Sequence, residues 1–95
     1  MKIVINNCYG GFGLSELAIV RLKELGYPTD IIGNIDDYEI SRDNSLLIKV
    51  VEELGVNANG RFSKLKVVEI PDNVEWEIEE YDGLEWVAEK HRRWS

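Results

Sequence analysis

The sequence predicts an α+β fold: two helices packed on a small mixed or antiparallel sheet that ends in a C-terminal hairpin. Three observations predict it. The clearest helical periodicities lie in the first half of the chain, the strictest two-residue alternation lies in the second, and Asp82-Gly83 separates two strand-like runs. Helices gathered at one end and strands at the other oppose a doubly wound α/β plan, in which the two alternate.

The elements follow in order. Residues 2–6 read as a buried strand, since Ile3, Val4 and Ile5 are β-branched and polar residues bound them. Three glycines within residues 10–13 then forbid any regular element, so residues 6–13 form a loop. Ser15 is the expected N-cap of a helix, with Glu16 in its first turn and Leu14 and Ile19 placed as a hydrophobic staple. Ala18, Ile19, Leu22 and Leu25 form its buried stripe, and Gly26 followed by Pro28 ends it. Residues 27–41 are either loop or two short strands, at Asp30-Ile31-Ile32 and Tyr38-Glu39-Ile40, around a turn at Gly33-Asn34. Asn44 caps a second helix whose Leu47, Val50, Val51 and Leu54 recur at helical spacing, and Gly55 stops it.

Residues 57–60 make a turn-rich connection, residues 64–70 a strand, and residues 75–81 a strand with Trp76 and Ile78 opposite Glu75, Glu77 and Glu79. The return strand runs from Leu84 to about Lys90; a helix over residues 84–94 is the competing reading, because Glu, Ala, Lys and Arg favour helices. A two-residue turn would set Glu80 against Glu85, a like-charge pair. A three-residue turn that includes Leu84 places Trp76 and Ile78 with Trp86 and Ala88 instead, and is the expected register.

A chain of 95 residues makes a single domain, residues 1–95, with a thin core, so a homo-oligomer that hides apolar surface is expected. No apolar run approaches the ~18 residues of a membrane span, and the opening turns polar too early for a signal peptide. The single cysteine, Cys8, permits no intrachain disulfide, which points to a reducing cytoplasmic compartment. A formal net charge of −7 opposes binding to a nucleic-acid polymer, which needs basic surface to displace counterions. Eight acids fall between Asp72 and Glu89, flanked by Arg61, Lys64 and Lys66 before and Lys90, Arg92 and Arg93 after.

The glycine loop is the most informative chemical feature. Glycine lets backbone amides approach a ligand, and the following helix N-terminus adds partial positive charge, so an anion suits the place. Gly11-Phe12-Gly13 lacks the third glycine of a dinucleotide fingerprint and no Gly-Lys-Ser/Thr follows, so neither nucleotide motif is present. The plain alternative is a tight turn that packs Tyr9 and Phe12 onto the core. Lys90-His91-Arg92-Arg93-Trp94 joins phosphate-binding forks to a stacking face, and Arg61-Phe62 repeats that pairing. A solubilising tail that plugs a sheet edge is the alternative there. The expected ligand-binding residues are Asn7, Tyr9, Gly10, Gly11, Phe12, Gly13, Ser15, Arg61, Arg92, Arg93 and Trp94. Cys8 and His91 are each unique, but one thiol and one imidazole complete neither a catalytic set nor a metal site, so no catalytic residue, cofactor or metal is expected. The alternating glutamates read as the wet face of a half-buried sheet.

The opening Met1-Lys2-Ile3-Val4-Ile5-Asn6-Asn7-Cys8-Tyr9-Gly10-Gly11-Phe12-Gly13-Leu14-Ser15 resembles that of a family of small uncharacterised phage and prophage proteins. The segments Val50-Val51-Glu52-Glu53-Leu54-Gly55, Asn59-Gly60-Arg61-Phe62 and Lys66-Val67-Val68-Glu69-Ile70-Pro71 resemble it too. So does the ending from Glu80-Tyr81-Asp82-Gly83 through His91-Arg92-Arg93-Trp94. Residues 27–40 match less well. The resemblance implies a viral accessory role inside a bacterial host cell, where small phage proteins often act against host defence.

The leading expectation is a non-enzymatic accessory protein that sequesters a small anionic ligand, such as a cyclic nucleotide, at a subunit interface. The alternative is an acidic module in which Glu77, Glu79 and Glu85 dock on a basic patch of a host enzyme. A small hydrolase or transferase using Cys8 or the carboxylates ranks third.

Overall fold

The computed structural model describes residues 1–90. Its order is strand β1 (Lys2–Asn6), helix α1 (Glu16–Glu24), helix α2 (Ser45–Leu54), a 3-10 turn (Gly55–Ala58), then strands β2 (Leu65–Glu69), β3 (Trp76–Tyr81) and β4 (Leu84–Glu89). The fold is α+β, with all strand pairing antiparallel. The strands form two separate ribbons, β1 with β2 and β3 with β4. Residues 84–89 are strand, and residues 27–41 contain turns and no strand.

Both helices form for the reasons their sequences supply. Ser15 Oγ accepts the Ala18 amide at 3.1 Å, and Asn44 Oδ1 accepts those of Leu46 and Leu47 at 2.9 and 3.2 Å. After α1, Gly26 takes φ +94°, the left-handed conformation that terminates helices cheaply only at glycine. Ala18 and Leu22 from α1 and Leu47, Val50 and Val51 from α2 join Val4, Phe12, Ile40 and Ala58 in one buried cluster. Ile3, Val4 and Ile5 are all buried, so β1 is covered on both faces. α2 lies against β1 and β2, while β4 lies against β1.

The edge of β1 away from β2 is closed without another strand. The Val4 amide donates to the Arg42 carbonyl at 2.8 Å, and the Asn6 amide donates to Glu85 Oε1 at 2.8 Å. Covering an edge this way removes a template for unwanted strand pairing.

The hairpin register differs from expectation. Asp82 and Gly83 take φ 49° and 90°, a two-residue turn of the twist that suits hairpins. Glu80 therefore does face Glu85, and Ile78 faces Val87 in place of a pairing with Ala88 or Trp86. The like-charge argument fails for a physical reason. Glu85 is buried, and its carboxylate is turned to Arg42, with Oε1 to Nη1 at 2.5 Å and Oε2 to Nη2 at 2.8 Å. A bidentate guanidinium neutralises the charge that would otherwise repel Glu80.

Candidate functional site

Three loops meet at one end of the molecule: the glycine loop of residues 7–13, the connection of residues 60–63, and the hairpin turn at Asp82-Gly83. Asn6 assembles them. This fully buried side chain donates from Nδ2 to the carbonyls of Cys8 and Gly83, each at 2.7 Å, and accepts the Lys64 amide at 2.8 Å. One amide group thus fixes the start of the glycine loop, the hairpin turn and the entry to β2. A buried amide with its valences filled is a specific fastener, since any shift leaves a polar atom stranded.

The loops touch backbone to backbone, and glycine is what lets them. A Cβ on Gly10 would stand 2.8 Å from the Phe62 carbonyl carbon, and one on Gly83 would stand 2.8 Å from the Tyr9 oxygen. Gly60 donates its amide to the Gly13 carbonyl at 3.1 Å, and Ser63 Oγ donates to the same oxygen at 2.6 Å. The glycines therefore serve close approach of the protein to itself as much as any ligand.

The geometry sorts the expected binding residues. Gly10 and Arg61 lie against Phe62, Gly13 against Gly60, and Tyr9 and Gly11 against Gly83. Tyr9 is 65% exposed and Phe62 66%, and the Arg61 guanidinium carbon lies 5.5 Å from the Phe62 ring centroid. Among the described residues, the amides of Gly10, Gly11, Phe12 and Gly13 have no hydrogen-bonded acceptor, although Gly83 packs over the Gly11 nitrogen. Asn7 is exposed and gives its amide to the Lys64 carbonyl at 2.7 Å. The Phe12 side chain is buried in the core, under the Arg42 guanidinium at 3.6 Å, as the tight-turn alternative required; Tyr9 is not packed inward. Ser15 is occupied as a cap and also donates to the Asn57 carbonyl at 2.6 Å. Arg92, Arg93 and Trp94, and His91 with them, lie outside the described residues.

The two amides just before α1 are taken by the protein. Asp37 Oδ2 accepts the Leu14 amide at 3.0 Å, and the Ser15 amide donates to the Ala58 carbonyl at 2.9 Å. An internal carboxylate therefore stands beside the entry to α1, and its charge opposes an external anion there.

Sequence reasoning missed the Arg42–Glu85–Asn6 cluster. Arg42 is the sole base between Glu24 and Lys49, a signal that it answers a particular carboxylate, but nothing in the spacing names Glu85. The acidic docking surface expected on the hairpin also changes, because Glu85 is buried in this pair; Glu77 and Glu79 remain exposed, with Glu79 accepting the Trp86 indole at 3.0 Å. Cys8 is a half-buried free thiol, and no cluster of three metal-ligating side chains occurs among the described residues. No described helix is long and apolar enough to cross a membrane. Comparison with known families, with curated proteins and with solved structures finds no match.

Proposed function

We propose that this chain is a phage accessory protein that binds and sequesters a small anionic nucleotide signal at the three-loop end, without turning it over. The reading is supported by the packing of residues 60–62 on the glycine loop, where Gly10 meets Phe62, Phe62 carries the Arg61 guanidinium near its ring, and the amides of residues 10–13 have no acceptor among the described residues. Amides and a guanidinium suit a phosphate, while Tyr9 and Phe62 offer flat faces to a base. Base stacking on an aromatic face is worth about 1–3 kcal/mol, enough to favour a nucleotide over inorganic phosphate.

Viral origin rests on the resemblance of the opening residues to phage and prophage proteins, and sequestration on analogy with small non-enzymatic phage proteins. Calorimetric titration with a panel of cyclic dinucleotides, cyclic trinucleotides and ADP-ribose derivatives tests the reading. One panel member binds at micromolar concentration or tighter, is recovered chemically intact after heat release, and loses at least about tenfold in affinity with Arg61→Ala, the loss of a charge-assisted bond. Absence of binding across the panel, or recovery of altered product, contradicts it.

A further inference from the structure

A second surface lies in residues 27–41, the segment in which the sequence left loop and strand open. Ile31 is fully exposed, Ile32 is 83% exposed and Tyr38 77%. Scattered exposed apolar residues are ordinary; here two adjacent isoleucines stand at the tip of a turn whose shape is fixed. Asp30 Oδ1 accepts the amides of Ile32 and Asn34 at 2.9 and 2.8 Å, and Asp30 and Asn34 are tied again through the backbone at 3.0 Å. Asp36 Oδ1 holds the Tyr38 amide at 3.0 Å, and Asp37 pins the segment to Leu14. A cavity of about 500 Å³ opens in the same segment, and its lining includes the apolar Tyr27, Pro28 and Ile35 and the acidic Asp30, Asp36 and Glu39.

The charges say what fits. Residues 27–41 contain Asp30, Asp36, Asp37 and Glu39 and no lysine, arginine or histidine. Their hydrogen bonds to backbone amides shape the loop without cancelling its charge. An anionic bilayer is repelled by such a segment, and a second copy of a chain with net charge −7 brings like charge to it. We propose that Ile31, Ile32 and Tyr38, with the adjoining cavity, form a docking surface for a cationic amphipathic segment of another protein. The partner's apolar side chains cover the isoleucines, and its lysine or arginine side chains seat among Asp30, Asp36 and Glu39. The turn is ordered before docking, so little conformational entropy is lost there.

The test uses a fluorescein-labelled amphipathic helix of about 18 residues, five turns built from Lys and Leu, and its Glu-for-Lys counterpart. Anisotropy titrations of the full chain are run at ~50 mM and ~300 mM salt, between which the screening length falls by a factor of about 2.4. The Lys peptide binds and the Glu peptide does not. Ile31→Ser combined with Ile32→Ser weakens binding at least about tenfold, as removal of central apolar anchors does. Glu39→Gln weakens it further in the same direction at low salt only. These residues are exposed, so the variants keep the fold, and the hairpin acids, which are untouched, serve as the internal control. Equal affinity for the double-serine variant, or equal affinity for both peptides, overturns the proposal. So does a sedimentation-detected dimer of the protein alone that the double-serine variant abolishes, since the occupant is then a second copy.

Discussion

Glu85 and Asp30 do the same thing in opposite surroundings. Each carboxylate accepts backbone amide hydrogens and so ties down an irregular piece of chain. Glu85 does so in the buried seam between β1 and β4, where its charge is met by Arg42 at 2.5 and 2.8 Å. Asp30 does so at a wet turn with no cation hydrogen-bonded to it among the described residues. The difference shows that a hydrogen bond to an amide is cheap to arrange at the surface, whereas burying its charge demands a second residue from another loop. The seam is consequently built from three distant segments, and the turn from one.

Removing the cation alone should break the seam most severely. Arg42→Met strands a buried carboxylate and should cost about 3–5 kcal/mol in denaturant unfolding. Adding Glu85→Gln to it should return much of that loss, because the amide oxygen still accepts from Asn6 while the charge is gone. Asn6→Ala comes next. It leaves the Cys8 and Gly83 carbonyls and the Lys64 amide without their partner, but these groups are only part-buried and water can reach them, so the whole loss should be about 2–3 kcal/mol. At the turn, Asp30→Ala should cost only about 0.5–1.5 kcal/mol, since water replaces what the carboxylate gave. A cost there as large as that of Arg42→Met would erase the distinction between the two regions.

The smallest effects arise at exposed surface pairs and depend on pH. The hydrogen bond from the Met1 ammonium, and then its charge, holds Asp72 below its usual value, and the group is fully exposed. A carboxylate lowered on folding stabilises above its unfolded pKa of about 3.9, and that contribution disappears as pH falls through the lower folded value. Asp72→Asn should therefore lower stability slightly at neutral pH, leave it unchanged once pH is below the folded value, and so flatten the acid limb of the stability curve. Lys2 runs the other way: its hydrogen bond to Glu52 raises it, so its contribution is complete below about 10.4 and fades as pH climbs further.

What the sequence revealed, and what it hid, follows the same division. Caps, stripes and stops are local, so Ser15, Asn44, Gly26 and the α2 stripe were readable from neighbouring residues alone. The hairpin was readable for the same reason, but its register was not. Glu80 opposite Glu85 looked unfavourable because the relief comes from Arg42, 43 residues earlier in the chain. In the candidate site, the glycine loop is legible as composition, whereas its contact with residues 60–62 rests on Gly10 against Phe62, which leaves no pattern along the chain. Asp37 at the start of α1 had no visible signal, since it comes from a segment without periodicity. Long-range pairing of polar groups leaves no pattern along the chain, whereas burial of a helix face does.

The proposed receptor for a phosphate-bearing ring compound lies where residues 7–13 meet residues 60–62. Amide chemical shifts recorded while cyclic dinucleotides from the panel are added measure this directly. Saturable movement centred on Gly10, Gly11, Gly13 and Phe62 is expected, and it should be absent in the folded Arg61→Ala protein. Spectra that stay unchanged, or changes confined to the hairpin or to residues 27–41, would contradict it.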